Sequence, residues 1–461
     1  MSPRHVLLVS WWFPPLSGGG VHRPLQFARH LAKQGHRVTV LTGVPPAGEP
    51  VDEALLRKVP QEMRVLRVRL PDPFRAWARL KGARPAAAPA THPTEPAAPQ
   101  LAPANRAARP RWRDLVTSMI AVPDKWLPWI VPATAHAAIA LRGDEPDLVL
   151  SSSPPRSMHL VAHALAGLFS CPLVLDFRDP WIGNPFKRYA APLFVRAEAA
   201  LERKVVLAAS QIVLNTPALE RQFQLRYGAL VRTRTIPNGF DPDAFEGLPP
   251  ATGGGTPGFV ELAHYGQLYG PRSGRFLVQA LARLKADVPD AFARARIVLF
   301  GAVDGDTGVL ALAAELGVDG ALALPGALPH QEALARQRAS DVLLLLGPEN
   351  REPEVQVPGK LYEYFAARRP ILALSRAGGA IDELLRSSGV PHERAEPDAP
   401  DEIAAALARL IERAGRADSK AAAGGSIDLF RYDRLTERLA DCLDEAWRRA
   451  GRSPAGAASG A

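Results

Sequence analysis

Short runs of large apolar residues alternate along the chain with stretches in which apolar residues recur every three or four positions. The runs at residues 5–10 (HVLLVS) and 172–177 (PLVLDF) are typical of strands buried on both faces, and residues 21–36 have helical spacing. Buried strands separated by helices predict a parallel sheet covered on both sides. The first half of the chain, residues 1–245, is therefore predicted to be a Rossmann-like domain. Its predicted strands are residues 5–10, 37–42, 64–70, 147–155, 172–177, 211–216 and 233–241.

A second set of the same alternation follows a Gly-, Pro- and Thr-rich stretch at residues 249–258. Such a stretch is typical of a linker, so we place a domain boundary near it and predict a second domain over residues 256–430. Residues 431–449 are predicted to form a helix that closes the chain, and residues 450–461 a disordered tail. The fold class is thus α/β, with two Rossmann-like, doubly wound parallel-sheet domains facing a central cleft. The strands predicted in the second domain are residues 259–266, 295–301, 341–347 and 370–374.

Residues 355–374 (VQVPGKLYEYFAARRPILAL) combine a Pro-Gly turn, a short amphipathic helix and a buried strand. A helix that begins at a Gly turn presents unpaired N–H groups and its positive end, and Lys360 adds a full cation there. This arrangement predicts a phosphate site that includes Gly359. Glu363 lies one turn deeper, where a carboxylate can accept hydrogen bonds from a ribose diol. The alternative is an ordinary surface helix with an i,i+3 ion pair.

Two further groups of candidate residues lie at strand ends in the first half of the chain. Gly19 and Gly20 begin a predicted helix, where glycine lets a phosphate or sugar approach the backbone closely. Arg178 and Asp179 follow a buried strand, at the sheet edge where ligands of open parallel sheets bind. The glycines are equally explained by a flexible turn, and Asp179 by a helix N-cap.

Composition limits the class of protein. Hydrophobic content of 47% and charged content of 22% are those of a soluble globular protein. Two cysteines that lie far apart, Cys171 and Cys442, predict neither a disulfide framework nor a metal cluster, so we expect a reducing cytoplasm. We expect no signal peptide and no transmembrane span. The formal net charge of +9 favours an acidic partner.

Residues 82–110 consist almost entirely of Ala and Pro with scattered Arg, which predicts a disordered or extended insertion. The flanks of this insertion carry aromatic residues among cations, which suits an anionic membrane interface. A solvated basic loop with its tryptophans folded under it explains the same pattern. The aromatic residues are Phe74, Trp77 and Trp112, and the cations are Arg75, Arg79, Lys81, Arg84, Arg106, Arg109, Arg111 and Arg113.

Six segments occur in an order typical of one family. They are WFPPLSGGG with the helix after it, DFRDPW, IPNGFD, HYGQLYGPR, ASDVLLLL and VPGKLYEYFAARRPILAL. In this order the chain resembles the nucleotide-sugar glycosyltransferases of the two-Rossmann-domain (GT-B) architecture, family 4 type, of bacterial polysaccharide assembly. The resemblance covers most of the chain except the Ala/Pro-rich insertion. It implies that the first domain binds the acceptor and the second binds the donor.

The resemblance also assigns residues that hold the donor diphosphate. The family has a Gly-Arg pair followed by a Lys five residues after the Arg, and these positions hold Gly266, Gln267 and Arg272 here. Arg272 keeps a cation that grips phosphate, whereas Gln267 offers only a neutral hydrogen bond. Lys360 is expected to supply the missing charge.

The family's two glutamates stand eight positions apart. Glu363 matches the one expected on the ribose hydroxyls, and the position of the other holds Val355. Glu352 and Glu354 are the nearby candidates to take its place at the donor sugar.

Sugar transfer needs stabilisation of the leaving diphosphate. Arg272, Lys360 and the amides of Gly359, Gly19 and Gly20 would supply it, so no metal and no cofactor is expected. The resemblance implies retention of anomeric configuration.

Asp179 is the candidate that orients or deprotonates the acceptor hydroxyl, with Arg178 and His22 beside it. For His22, a loop histidine bonded to backbone is the competing interpretation.

The leading hypothesis is a glycosyltransferase of cell-surface polysaccharide synthesis that acts on a saccharide or lipid-linked acceptor. We expect it in the cytoplasm, with peripheral contact at the inner face of the cell membrane. A nucleotide-sugar 2-epimerase of the same fold and a catalytically silent scaffold of a polysaccharide assembly complex are the alternatives. Nucleic-acid binding is not expected, because the basic residues cluster in the insertion.

Overall fold

The computed structural model describes residues 3–71, 122–184, 187, 189, 191–248, 258–270, 272–303, 308–349, 354–414 and 427–451. It divides into two compact units, one formed by residues 1–237 and 432–461 and the other by residues 238–431. The insertion at residues 82–110, Trp77, Trp112, Glu352 and the tail from residue 452 lie outside the described residues, as does most of the predicted linker.

The first unit is built on a seven-stranded parallel sheet. Its strand order is β3-β2-β1-β4-β5-β6-β7. β1 is buried along its whole length and pairs with β2 on one side and β4 on the other. The order reverses between β1 and β4, and the carboxyl ends at such a point form the ligand crevice of open parallel sheets. The strands are β1 (His5–Val9), β2 (Arg37–Gly43), β3 (Arg64–Val68), β4 (Leu148–Ser153), β5 (Leu173–Phe177), β6 (Gln211–Leu214) and β7 (Thr233–Thr235).

The second unit contains a six-stranded parallel sheet with the order β10-β9-β8-β11-β12-β13. The order reverses between β8 and β11, so the same rule places a ligand crevice at the carboxyl ends of these two strands. The prediction of two parallel-sheet α/β domains is confirmed. The strands are β8 (Val260–Tyr265), β9 (Ala295–Phe300), β10 (Leu322–Gly326), β11 (Val342–Leu346), β12 (Ile371–Leu374) and β13 (His392–Ala395).

Helices connect the parallel strands, as parallel pairing requires. Those of the first unit are α1 (Gly19–Lys33), α2 (Glu53–Leu56), α3 (Ile130–Ala140), α4 (Ser157–Leu168), α5 (Pro192–Ala208) and α6 (Pro217–Tyr227). Those of the second unit are α7 (Arg275–Asp287), α8 (Pro289–Arg294), α9 (Val309–Glu315), α10 (His330–Ala339), α11 (Lys360–Ala367), α12 (Ala380–Ser388) and α13 (Pro400–Ala414), and the chain ends with α14 (Tyr432–Arg449).

The last helix, α14, belongs to the first unit. Tyr432 packs edge-on against Phe27 of α1, with ring centroids 5.9 Å apart. At the other end of α14, the Arg4 guanidinium lies 3.8 Å from the centroid of the Trp447 ring and pairs with Asp444. The chain therefore returns to its first unit after completing the second.

Candidate active site

In the second unit, Lys360 and Gly266 meet at the carboxyl edge of the sheet. Gly266 directly follows β8, and Lys360 is the first residue of α11. A Cβ atom at Gly266 would overlap the Lys360 ammonium, so the lysine extends across the glycine backbone. The exposed Gly359 precedes the helix, so the sequence-predicted helix N-terminus lies next to this cation.

Lys360 shares its surroundings with a second cation, Arg272. Burial and then the Arg272 charge lower the pKa of Lys360 to about 7, and Glu363 opposes them. Two cations that destabilise each other's charge in a partly buried site are stabilised by an anion between them. The structure thus brings Lys360 over Gly266 and within reach of the charges of Arg272 and Glu363, and the predicted phosphate site remains a prediction.

The loop after β8 fixes Arg272. Its amide donates to the carbonyl of Tyr269 at 2.6 Å, and its guanidinium lies 5.5 Å from the Tyr269 ring centroid. The next residue, Ser273, donates from its amide and hydroxyl to Glu349 at 3.1 and 2.7 Å. The loop is therefore tied to the strand end after β11. Gln267 follows Gly266 in this loop and is half-buried.

Gly301 is needed for the same loop to approach β9. Its φ is +148°, and an added Cβ would lie 2.5 Å from the carbonyl carbon of Gly266. A side chain here would push the backbone of Gly266 away from its place under Lys360.

His264 is a site residue that the sequence analysis did not identify. It lies on β8, is buried, and its Nδ1 is 2.9 Å from the carbonyl oxygen of Leu344. Burial, then Lys360 and Arg272, hold its pKa well below the ordinary value, so the ring is neutral. Nε2 has no hydrogen-bond partner in the described part of the chain and lies 3.2 Å from the point that a Gly266 Cβ would occupy.

Glu363 is held by residues of α10. Its Oε2 accepts from the Gln337 side-chain amide at 3.3 Å, and His330 Nε2 lies 3.9 Å from Oε1. The Glu363 side chain is 25% exposed, so it stays accessible to a ligand. Its predicted role at a ribose remains a prediction.

Glu354, which precedes α11 in the chain, packs against the start of α12. A Cβ added to Gly379 would be 2.7 Å from the Glu354 carboxyl carbon, and the Glu354 carbonyl accepts from the Ala380 amide at 2.8 Å. Burial raises the pKa of the carboxyl group, against the effect of nearby backbone amides. Val355, which stands at the position of the family's first glutamate, is half-buried beside it.

In the first unit, Arg178 ties the loop after β5 to the end of β4 and to the start of α1, at the carboxyl edge of the sheet. Its guanidinium donates to the carbonyls of Gly20 at 2.5 Å, Ser153 at 3.1 Å and Pro154 at 2.7 Å. These contacts show that Arg178 shapes the edge, and its predicted contact with an acceptor remains a prediction. Gly20 is packed closely, since an added Cβ would meet Trp12 at 3.0 Å.

The other predicted residues of the first unit flank this edge. Gly19 begins α1 with open space around its Cα, and His22 lies in the first turn of the same helix. Asp179 follows Arg178 in the loop after β5. His22 and Asp179 are both partly buried.

A buried ion pair lies beneath the same edge. Arg23 of α1 donates to Asp176 of β5 at 2.7 Å and to the carbonyl oxygens of Ile236 and Pro237 at 2.8 and 2.6 Å. Ser152 also donates to Asp176 at 2.8 Å. Both side chains are almost fully buried and bonded to each other and to the fold, so this pair supports the edge.

Two absences hold for the part of the chain that the structure describes. None of its helices is long and apolar enough to cross a membrane. Within the same residues, His, Cys, Asp and Glu side chains form no group of three or more that could hold a metal ion.

Comparison with protein families matches both halves of the chain. The model of Glycosyltransferase Family 4 matches residues 90–244, and that of glycosyl transferases group 1 matches residues 260–413. No curated protein matches the chain.

Solved structures share the fold over nearly the whole chain. Sucrose-phosphate synthase from Thermosynechococcus elongatus has a TM-score of 0.65 at 14% identity, covering 97% of this chain and 100% of that one. HepE from Anabaena in complex with UDP has a TM-score of 0.61 at 16% identity, covering 96% and 99%. An E. coli trehalose-6-phosphate protein bound with UDP-2-fluoro glucose has a TM-score of 0.60 at 14% identity, covering 95% and 98%. The chain is a glycosyltransferase of the GT-B architecture, in which a Family 4 region is followed by a group 1 region.

Proposed function

We propose that this glycosyltransferase transfers a sugar, with retention of configuration, from a nucleotide-diphosphate sugar to a saccharide or lipid-linked acceptor in cell-surface polysaccharide synthesis. The observation that carries the proposal is the placement of the Lys360 ammonium over Gly266, next to Arg272 and at the start of α11. Two cations and a helix N-terminus form a site for a diphosphate. HepE, which shares the fold, has been solved with UDP and with UDP-glucose.

The proposed chemistry follows from where negative charge grows. As the bond between the sugar and the diphosphate breaks, the leaving diphosphate gains charge, which Lys360 and Arg272 stabilise more strongly than they stabilise the bound donor. The amides at Gly359 add the positive end of α11. Glu363 accepts hydrogen bonds from the ribose, and its contact with Gln337 fixes the carboxylate for this role. These groups stabilise the leaving diphosphate without a metal.

For the acceptor, we propose that Asp179 orients or deprotonates the attacking hydroxyl, with His22 beside it. Its position after β5 supports this role, because ligands of parallel sheets bind at that edge. Arg178 contributes by fixing the loop that carries Asp179. The amides of Gly19 and Gly20 are proposed as further donors to the diphosphate, because both glycines stand at the start of α1.

A donor screen tests the proposal directly. The protein is incubated with UDP-, GDP-, dTDP- and ADP-sugars together with lipid-linked and saccharide acceptors, and release of the nucleoside diphosphate is measured. We expect release with one nucleotide class, and a loss of about a hundredfold or more in Arg272→Ala or Lys360→Met. Arg283→Ala is the matched control, because Arg283 forms an exposed ion pair with Asp401 in the same unit. Equal activity in all four proteins would refute the assignment of the cations.

The same screen separates the alternatives. A 2-epimerase changes the donor sugar without an acceptor, whereas a transferase releases nucleotide in proportion to the acceptor added. A scaffold protein would change no donor and release no nucleotide under any of these conditions. If no turnover is seen, calorimetric titration with the same nucleotides shows whether the protein still binds a nucleotide.

We also propose that the first unit contacts an anionic membrane at its periphery. Val131 and Ile139 of α3 are 77% and 73% exposed, and their spacing of eight places them on the same side of the helix; Leu127, in the 3₁₀ turn just before α3, is also exposed. Residues 125–143 contain the exposed cations Lys125 and Arg142 and no acidic residue. An apolar face between cations suits the interface of an anionic bilayer.

Flotation with vesicles tests the membrane contact. We expect the protein to float with phosphatidylglycerol-containing vesicles at low salt and to lose this property when Val131 and Ile139 are both replaced by Asp. Leu225→Asp is the control, since Leu225 is 89% exposed on α6 of the same unit. If the double variant floats as the wild type does, α3 is not the contact surface.

A further inference from the structure

His264 has an unusual place for a buried histidine of a parallel strand. The side chain is 1% exposed, and its Nδ1 is 2.9 Å from the carbonyl oxygen of Leu344 on the adjacent strand β11. The opposite ring nitrogen, Nε2, has no partner among the described residues. A buried polar atom without a partner costs free energy, so its retention needs a reason.

The hydrogen bond to Leu344 decides the chemistry of the ring. A carbonyl oxygen only accepts, so Nδ1 carries the proton and donates it. Because the ring is neutral, Nε2 is left with a lone pair and acts only as an acceptor. The fold thus fixes a buried acceptor that points toward the open side of Gly266.

The Lys360 ammonium is a donor that lies on the same side of Gly266 as this acceptor. A Cβ added to Gly266 would overlap the ammonium and would lie 3.2 Å from Nε2. Both nitrogens therefore lie next to the space that the missing glycine side chain leaves. An ammonium has three donors, so Lys360 can serve Nε2 and still direct N–H groups to a ligand.

We infer that His264 is a positioning residue: the charged Lys360 ammonium turns to donate a hydrogen bond to its unpartnered Nε2, which keeps the ammonium over Gly266, facing the donor diphosphate. This inference rests on the proposed donor site for its functional meaning. The coupling is specific to the neutral ring, because a cationic His264 would repel Lys360. A nucleotide sugar that binds here would do so with uptake of a proton by Lys360, and His264 would make that uptake easier.

Two other charges act on Lys360, and both remain in place when the neutral His264 is replaced by a neutral side chain. Arg272, from the loop after β8, disfavours the charged lysine, and Glu363, one turn along α11, favours it. Neither is altered by a change at His264, so variants of the histidine report on the Nε2 contact.

Two substitutions separate this contact from the structural bond to Leu344. In His264→Asn the side-chain amide N–H₂ takes the place of Nδ1 and keeps the donor to the carbonyl, but no acceptor reaches Lys360. In His264→Gln the longer side chain supplies a carbonyl oxygen near the position of Nε2. Melting temperatures of both variants show whether the second unit is folded.

The test is the pH dependence of Lys360 acetylation by acetic anhydride, followed by mass spectrometry of the peptide that contains it, in nucleotide-free protein. Only the uncharged amine reacts, so the midpoint of the rate profile reports the pKa. We expect His264→Asn to lower the midpoint by about one pH unit, since hydrogen bonds to charged groups are worth about 1.5–3 kcal/mol, and His264→Gln to restore at least half of that shift.

A midpoint in His264→Asn within about 0.2 units of wild type, or equal shifts in both variants, would overturn the inference. A folded His264→Asn should also bind a nucleotide sugar about tenfold more weakly at pH 8, with little change at pH 5.5. If wild type binds no nucleotide at any pH while the acetylation shift is present, the donor-site proposal fails and the positioning contact stands.

Discussion

Lys360 makes binding of a nucleotide sugar depend on pH in a predictable direction. Burial and Arg272 lower the pKa of the free lysine to about 7, whereas a bound diphosphate stabilises the ammonium and raises the pKa. Because the charged form binds, affinity is at its full value below the free pKa and is lost as the pH rises through it.

The magnitude follows from the fraction of charged lysine. With a free pKa of about 7, about nine-tenths of the protein carries a charged Lys360 at pH 6 and about one-tenth at pH 8. Binding at pH 8 must therefore charge the lysine, at a cost of about 1.4 kcal/mol. The dissociation constant should rise about tenfold between pH 6 and pH 8.

Isothermal titration calorimetry with an intact nucleotide sugar measures this effect, because the pyrophosphate diester does not titrate in this range. Repeating the titration in buffers with different heats of ionisation should show uptake of about half a proton at pH 7 and about 0.9 at pH 8. An affinity constant within twofold across the range, with no proton uptake, would refute the reasoning.

Lys360→Arg is the matched control for the pH effect. The guanidinium stays charged throughout, so its affinity should vary by less than about twofold between pH 6 and pH 8. A variant that kept the full wild-type dependence would assign the titration to a group other than Lys360.

Three other substitutions test the account. Gly266→Ala should weaken nucleotide-sugar binding at least tenfold in calorimetry with little loss of stability, because the new methyl group displaces the flexible end of Lys360 and meets His264 Nε2 at 3.2 Å without touching the backbone of another segment. Glu363→Gln should raise the donor KM about tenfold with a smaller effect on kcat, since a neutral acceptor binds a ribose more weakly than a carboxylate does. Arg23→Ala should lower the free energy of unfolding by about 3–5 kcal/mol in urea titration, because it leaves the buried Asp176 without its cation.

Each of these substitutions has a control and a contrary result. Gly301→Ala places a methyl group against the backbone of Gly266 at a positive φ, so it should lower the melting temperature where Gly266→Ala does not. Removing the cation from the exposed Arg434–Glu437 pair should cost less than about 1 kcal/mol. A loss below about 1 kcal/mol for Arg23→Ala, or an unchanged KM for Glu363→Gln, would contradict the assigned roles.

The hydrophobic pattern was sufficient to predict the two parallel sheets, because their central strands are continuous aliphatic runs. Two strands were not predicted. β10 (LALPG) ends in Pro-Gly and alternates in exposure, and β13 (HERA) is a polar strand at the sheet edge. Edge strands bury only part of their surface, so they lack the apolar run on which the prediction depended.

Only the part of the candidate site that lies within one sequence segment was predicted. Lys360 and Glu363 carry a local signal, since both belong to one helix that begins at a Pro-Gly turn. The overlap of Lys360 with Gly266 depends on how α11 packs against the end of β8, and no local pattern encodes it. His264 lies within a predicted strand, and a histidine two residues before Gly266 is too weak a signal to assign a role from sequence.

For Arg178 the sequence predicted the position correctly but not the contacts. Its position after a strand end predicted a ligand contact, and the structure shows its guanidinium donating to three backbone carbonyls, two at the end of β4 and one at the start of α1. Backbone acceptors have no side-chain identity, so a sequence does not reveal that an arginine is used to hold loops together.

Hydrogen exchange with and without the nucleoside diphosphate selected by the donor screen tests the central claim most directly. The account predicts slower exchange at the start of α11, around Lys360, and in the loop from Gly266 to Arg272, because the diphosphate lies on both. It predicts that this protection disappears in Arg272→Ala and persists in Arg283→Ala. Protection confined to the first unit, or unchanged in Arg272→Ala, would contradict a donor site at Lys360 and Gly266.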